Sequence, residues 1–206
     1  TNPMAILFDG GDTHNDTARG GLIYDIDTGL SIKSGGSTRW TINETGNLLP
    51  SATSLGIYLG VTSATASNLL DDYEEGTFTP TLIDSGGDLS ASYSYNVGQY
   101  IKVGNLVTYS ISLTLSGGNG DDTDQVSIAS LPFTSSLTTN LLAGTAVFGN
   151  YINTNTNYIP PLFGFIGNSQ TAITLYEQGD NQAFENFRAN RLSSNTSFFV
   201  TGSYYT

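Results

Sequence analysis

The sequence predicts an all-β protein, with a fibrous N-terminal stem of short strands followed by an antiparallel, jelly-roll-like β-sandwich head. Aromatic residues make up 11% of the chain, chiefly 12 Tyr and 10 Phe, and Gly occurs 24 times. Aromatic residues favour strands and Gly favours turns. The apolar segments have the length of strands and are separated by Gly, Asp, Asn and Ser. Only residues 182–192 have helical potential, and a short helix and an irregular loop fit them equally well.

The N-terminal part of the chain contains short apolar pieces that cannot form a core by themselves. They are AILF (5–8), GLIYDI (21–26), GLSIK (29–33) and RWTI (39–42), and a connector rich in Ser, Thr, Ala and Gly follows. A small sheet of this kind needs a partner surface, which three copies around a common axis would supply. We therefore predict a stem and connector over residues 1–67, and a homotrimer.

Longer strands follow, and one hairpin among them is well defined. Gly104-Asn105 is a two-residue turn signal between the apolar runs Tyr100–Val103 and Leu106–Leu115. Alternation then predicts the core face, which holds Tyr100, Lys102, Val107, Tyr109, Ile111, Leu113 and Leu115. Further strands are predicted at 125–131, 141–152, 162–166, 171–176 and 197–205. Seven or eight antiparallel strands in about 130 residues indicate a sandwich.

Charge and composition exclude several classes of function. The net charge is −12, with only six Lys and Arg residues, so direct binding to nucleic-acid phosphates is not expected. Cys is absent, which excludes disulfides and thiolate metal sites. No apolar run is long enough to span a membrane. The start, Thr1-Asn2-Pro3-Met4, is neither a signal peptide nor an ordinary translation start, so we expect a piece of a longer polypeptide.

Two segments carry a resemblance to a known class of protein. Residues 68–82 read NLLDDYEEGTFTPTL, and residues 99–115 read QYIKVGNLVTYSISLTL. Together they resemble a recurring segment of tailed-bacteriophage fibre and spike proteins, in which similar runs join a fibrous stem to a β-sandwich head. The resemblance implies a collar over 68–76, a head over 77–206 and a homotrimeric, extracellular virion protein on a tail or other external appendage. Its N-terminal side would contact other virion proteins, and it would carry no catalytic residues.

The residue inventory does not favour catalysis. The densest acidic cluster is Asp71, Asp72, Glu74 and Glu75. Glycoside cleavage requires one carboxyl group of raised pKa opposite another, not four at adjacent positions. We interpret the cluster as part of a polar linker whose acids face solvent. His14 is the one His of the chain, which leaves Ser and Thr without a convincing base. The sequence therefore predicts a protein that is not an enzyme and needs no cofactor.

Three further groups of acids resemble calcium loops only faintly. They are Asp9, Asp12 and Asp16; Asp25 and Asp27; and Asp121, Asp122 and Asp124. None has the spacing of an EF-hand loop, so we interpret them as solvated turns and predict no metal site.

One loop has a composition suited to binding a ligand. It contains Tyr151, Asn153, Asn155, Asn157 and Tyr158. Tyr offers a ring for stacking and Asn both donates and accepts hydrogen bonds, a combination that suits sugars. The alternative, that the tyrosines merely cover one end of the sandwich, is equally open. Residues 117–124 form the next candidate loop.

These observations favour a fibre or spike protein that attaches a virion to a receptor on the host-cell surface. A glycan is the expected receptor, and a host protein is the alternative ligand. A different reading is a structural virion protein, such as a head fibre, capsid decoration or tail component, with no receptor-reading role. A small polysaccharide-cleaving enzyme ranks last.

Overall fold

The computed structural model describes residues 4–8, 20–25, 27, 29–118, 123–137, 143–152, 161–178 and 183–206. The chain divides into two compact units, Thr1–Asp72 and Tyr73–Thr206. Helical structure in the described residues is limited to two 3₁₀ turns, Ala66–Asn68 and Ala189–Arg191. None of the helical segments described has the length and apolarity to cross a membrane. The predicted all-β class is confirmed.

The first unit is a meander of short strands. Its sheet contains β1 (Met4–Phe8), β2 (Gly20–Asp25), β3 (Gly29–Ser34), β4 (Ser37–Ile42) and β5 (Leu48–Pro50), each antiparallel to the next. A separate ladder pairs β6 (Ile57–Tyr58) with β7 (Leu69–Leu70). No apolar side chain whose burial is described in this unit is buried, and Tyr24, Leu48 and Ile57 are all about half exposed. This part of the chain therefore has no apolar core among its described residues.

The second unit is one sheet of ten antiparallel strands. They are β8 (Tyr73–Phe78), β9 (Thr81–Asp84), β10 (Ala91–Val103), β11 (Leu106–Gly118), β12 (Val126–Ala129), β13 (Ala143–Asn150), β14 (Leu162–Ile166), β15 (Ile173–Gln178), β16 (Phe184–Asn186) and β17 (Ser197–Tyr205). The strand order is β8-β10-β11-β17-β13-β14-β15-β12-β9, and β16 pairs with β15.

The sheet curls so that its two ends approach each other. Strands β8 and β9 are consecutive in the chain but lie at opposite ends of the strand order. The backbone N–H of Leu82 in β9 donates to the Tyr93 hydroxyl of β10 at 2.6 Å, and the Asn96 amide donates to the Pro80 carbonyl at 3.3 Å. The inner faces enclose one apolar cluster, so a single curled sheet supplies both layers of the predicted head.

The predicted hairpin and its core face are confirmed. Val103 pairs with Leu106 across a two-residue loop, and Gly104 adopts a φ of +56°, the left-handed conformation that favours Gly at this position. The predicted core side chains of β11 are all buried. Lys102 is buried as well, and its ammonium lies 5.6 Å from the centre of the Phe133 ring in a cation–π contact.

One row of directly paired residues crosses seven strands on the inner face. It consists of Gly76, Tyr100, Tyr109, Gly202, Thr145, Gly164 and Leu175. Tyr109 is fully buried, and its phenol forms a hydrogen bond with the Thr145 hydroxyl. A Cβ at Gly202 would lie 2.7 Å from the Tyr109 hydroxyl oxygen. Glycine is therefore required opposite Tyr109, because a side chain would occupy the space of the phenol.

The sequence left residues 182–192 open between a short helix and an irregular loop, and their described part, residues 183–192, contains strand β16 and the 3₁₀ turn Ala189–Arg191. Strand β16 is followed by Phe187, which is fully buried. The Phe187 N–H donates to the Leu175 carbonyl at 3.1 Å, and its carbonyl accepts from the Val126 N–H at 2.8 Å. These bonds tie Phe187 between two strands, and a helix would not allow them.

The first prediction concerns the boundary of the head. A fragment of residues 73–206 should unfold cooperatively, whereas a fragment of residues 77–206 should melt lower by about 4 °C or more. The shorter fragment lacks Tyr73–Gly76, the four residues of β8 that pair with Tyr100–Val103 of β10. Thermal unfolding followed by circular dichroism measures both. A fragment of residues 1–72 should show no cooperative transition; a cooperative transition there, or equal melting of the two head fragments, would contradict this boundary.

The second prediction concerns alkaline pH. Burial raises the pKa of the Tyr109 and Tyr204 phenols to about 12, above their ordinary value of 10.0. The unfolded chain therefore releases these protons first, and the stability they contribute is complete below pH 10 and lost as pH rises through 12. Tyr109→Phe or Tyr204→Phe should reduce the slope of unfolding free energy against pH by up to about 1.4 kcal/mol per pH unit. Urea unfolding at several pH values tests this, with the exposed Tyr95→Phe as control; unchanged slopes would refute it.

Candidate functional site

Of the five predicted binding residues the structure describes Tyr151, which follows β13 directly. Its ring is 65% exposed. Its carbonyl accepts hydrogen bonds from the Ser193 and Thr196 hydroxyls, both at 2.8 Å. Asn153, Asn155, Asn157 and Tyr158 lie outside the described residues. The backbone of Tyr151 is thus fixed while its ring faces solvent.

The backbone of Tyr151 is also strained. Its φ is +54°. The other described non-glycine residues with positive φ, Ser130 and Ser169, have small side chains, whereas Tyr151 is bulky. A bulky residue in this region is an outlier, and such outliers persist where the surroundings over-determine them. Here the two hydroxyl donors and the buried neighbour Ile152 supply that constraint. An exposed ring held at this cost to the backbone is a candidate for recognition.

A second aromatic group, which was not predicted from the sequence, lies on the outer face of β14, β15 and β16. It consists of Phe163, Phe165, Tyr176 and Phe184, hereafter the aromatic cluster. Phe163 and Tyr176 are stacked with ring centres 5.9 Å apart and planes 17° apart. Phe184 meets Tyr176 edge-to-face at 5.1 Å. Every pair of the four rings lies within 6.2 Å, and Phe184 is 54% exposed.

Strand alternation explains why these rings face outward. In β14, Gly164 and Ile166 are buried. Phe163 and Phe165 alternate with them along the strand and therefore point to the other face. Phe163 pairs directly with Tyr176. The signal in the sequence was the pair of Phe residues two positions apart, but their partners come from later strands. Only the register of the sheet assembles the cluster.

Polar side chains border the aromatic cluster on the same face. Asn186 of β16 pairs with Tyr176 of β15, which in turn pairs with Phe163 of β14. In the next row Thr174 pairs with both Phe165 and Ser127. The outer face therefore combines apolar rings with amide and hydroxyl groups. This combination can stack on an apolar ring of a ligand and hydrogen-bond to polar groups at its edge.

The carboxylates of the same strands lie on the opposite face. Glu177 and Glu185 pair with each other and alternate with Tyr176 and Phe184. Glu177 is buried, and one of its oxygens accepts from the Arg191 guanidinium at 3.1 Å. Its other oxygen, Oε2, is buried without a hydrogen-bond partner. Alternation thus turns both carboxylates away from the rings.

The linker acids are exposed, as the sequence analysis expected. Asp71 and Asp72 precede β8, and Glu74 and Glu75 lie within it. The Tyr73 hydroxyl donates to Glu75 at 2.9 Å, and the Tyr100 hydroxyl donates to Glu74. Each carboxylate raises the pKa of its tyrosine partner, chiefly by accepting this hydrogen bond. A groove of about 480 Å³ lies beside Glu75 on the outer face of β8, β10 and β11.

The remaining sequence candidates are only partly described. Asp9, Asp12, His14, Asp16, Asp121 and Asp122 lie outside the described residues, as does the Asp25 side chain. Asp27 is exposed, and Asp124 is partly buried beside the ends of β9 and β12.

Comparison with known proteins identifies a shared fold. No protein-family model and no curated protein matches the chain. The crystal structure of the Dettilon tailspike protein (gp208) matches it with a TM-score of 0.52 and 21% sequence identity, over 65% of this chain. The chain spans 24% of the length of that tailspike. At this identity the likeness establishes the fold, which is that of part of a phage tailspike protein.

Proposed function

We propose that this chain is part of a phage fibre or spike protein that attaches the virion to a glycan on the host-cell surface. The observation that carries the proposal is the outward-facing aromatic cluster on a sheet with the fold of a tailspike segment. The chain would lie on an external appendage of the virion and contact other virion proteins through its N-terminal side.

The chemistry of the exposed face supports a glycan as the ligand. Sugars present apolar ring faces edged by hydroxyl groups, which match aromatic rings bordered by Asn186 and Thr174. In the sequence, Tyr151 and the predicted Asn residues lie between β13 and β14, the strand that carries Phe163 and Phe165. A single stacked ring contributes on the order of 1 kcal/mol beyond its buried area. Each site would therefore bind weakly.

Binding without cleavage is the form of this function that the geometry favours. Glycoside hydrolysis needs two carboxyl groups that flank the bond to be cut. At the aromatic cluster, alternation places Glu177 and Glu185 on the face away from the rings. Glu177 is in addition engaged by Arg191.

The first unit supports the homotrimer. None of its apolar side chains whose burial is described is buried, and Ile6, Leu48, Leu59 and Leu70 are exposed. Exposed apolar surface of this density in a thin sheet requires a partner. Two further copies of the chain would cover it and, by joining three heads, would raise avidity by orders of magnitude over one site.

The binding prediction uses two substitutions on exposed rings. Phe184→Ala and Tyr151→Ala should each weaken binding to glycan by roughly fivefold per site, the loss expected for one stacked ring. Adsorption of the fluorescently labelled whole chain to bacterial cells, with an array of bacterial surface glycans, measures the effect. The melting temperature should change little for Tyr151→Ala, because Tyr151 is 65% exposed, and should fall moderately for Phe184→Ala, because Phe184 loses its contacts with three rings, while both variants stay folded at the temperature of the assay.

Tyr95→Ala is the matched control, since its ring is 52% exposed on β10 and lies outside both candidate regions. It should bind as the unaltered chain does. Binding unaffected by either test substitution would place recognition elsewhere, with residues 117–124 as the next candidate. An unaltered chain that binds neither cells nor glycans would favour a structural virion protein. Release of new reducing ends from a bound glycan would contradict binding without cleavage.

The trimer prediction is tested by mass in solution. Light scattering should give about 65 kDa for the whole chain, three times its 21.8 kDa. Leu48→Glu should shift the chain toward the monomer, because it places a charge on the apolar surface of the first unit. Ile83→Glu, at a similarly exposed position in the second unit, should stay trimeric. A stable monomer for the unaltered chain would overturn the prediction.

A further inference from the structure

Three aspartates from two distant segments meet at one end of β9 and β12. Asp84 ends β9 and pairs with Val126, the first residue of β12. Asp124 lies two residues before Val126, and Asp88 lies in the turn that follows β9. One carboxylate oxygen from each of the three lies within 4.8 Å of the others. Pairing of β9 with β12 is what brings these charges together.

Asp84 is the unusual member, because it is buried. It is 8% exposed, and its Oδ1 accepts from the backbone N–H groups of Gly87 at 2.6 Å and Asp88 at 3.2 Å. Its Oδ2 is buried and has no hydrogen-bond partner. A buried carboxylate oxygen without a donor, among other carboxylates, is costly unless a cation completes its environment.

The other two carboxylates converge beside one glycine. A Cβ at Gly86 would overlap Asp124 Oδ2 and would lie 3.3 Å from Asp88 Oδ1. These two oxygens therefore approach the same stretch of backbone, and a side chain at position 86 would displace the Asp124 oxygen and crowd that of Asp88. The backbone of Asp124 is itself fixed, since its carbonyl accepts from the Ala189 N–H at 3.0 Å.

We propose that Asp84, Asp88 and Asp124 bind a calcium ion. One oxygen of each lies within 4.8 Å of the others, which is close enough for all three to contact one ion at Ca–O distances of roughly 2.3–2.6 Å, in the flexible geometry that calcium accepts. Mg²⁺ would need a tighter octahedron at roughly 2.0–2.1 Å. Oxygen-only ligands also select a hard cation over Zn²⁺ or Cu²⁺, which prefer the imidazole and thiolate ligands that these three residues do not supply.

The ion would join the end of β9, its turn and the start of β12. This corner belongs to an outer strand of the sheet, where β9 pairs with β12 at the end of the strand order. Calcium would therefore stabilise the second unit, independently of any ligand at the aromatic cluster.

The experiment is a calcium titration of the whole chain after treatment with a chelator. Calorimetry should show calcium binding, and millimolar calcium should raise the melting temperature by several degrees over that in chelator. Asp88→Asn, at the exposed member, should weaken calcium binding by at least about tenfold, because loss of even an indirect partner of a metal costs that much. Asp71→Asn, at an exposed acid outside the cluster, should leave binding and the shift unchanged.

The Asp84→Asn variant distinguishes a calcium site from a buried carboxylate that binds no metal. In chelator the variant should melt no lower than the unaltered chain, because it removes an uncompensated charge and keeps an oxygen for the turn. In millimolar calcium the unaltered chain should melt at a higher temperature than the Asp84→Asn variant. Absence of calcium binding in the unaltered chain, the same calcium shift in Asp88→Asn, or an unchanged order of melting for Asp84→Asn would each overturn the proposal.

Discussion

The hydrogen bond between the Tyr109 phenol and the Thr145 hydroxyl is the contact on which the head depends most. It joins residues of β11 and β13 over β17, which lies between them. The span is possible because β17 contributes Gly202 at that point. Burial of a phenol is favourable only when its hydroxyl is satisfied, so the bond and the glycine act together. Together they fix the register of three adjacent strands.

A fixed inner face leaves the outer face free to vary. The inner row specifies register, since a slip of one residue would move every core side chain of a strand to the solvent side. Outward residues then share no packing constraint with the core, and Phe163, Phe165 and Tyr176 can form a surface cluster. This is how a rigid sheet can present a recognition surface without weakening its own core.

The parts of the fold that depend on residues close in sequence were predicted correctly. The hairpin and its faces followed from period-two alternation and Gly104-Asn105. The aromatic cluster did not, because Phe184 joins Phe163 only after β14, β15 and β16 have paired. The meeting of Asp84 with Asp124 was not predicted for the same reason, because it depends on the β9–β12 pairing. The short strand β16 was not predicted either, and the buried Phe187 that follows it is held by backbone bonds to Leu175 and Val126, which no local pattern reveals.

The acidic residues on and before strand β8, at one end of the sheet, affect how newly made chains behave at high concentration. Among the described strands β8 pairs with β10 and is the terminal strand of the sheet on that side. Such an edge can template pairing with another chain, and charged residues are the usual protection. Glu74 and Glu75 lie on this strand directly after Asp71 and Asp72. Two identical edges that meet would bring like charges together, which disfavours runaway aggregation of newly made chains at high concentration.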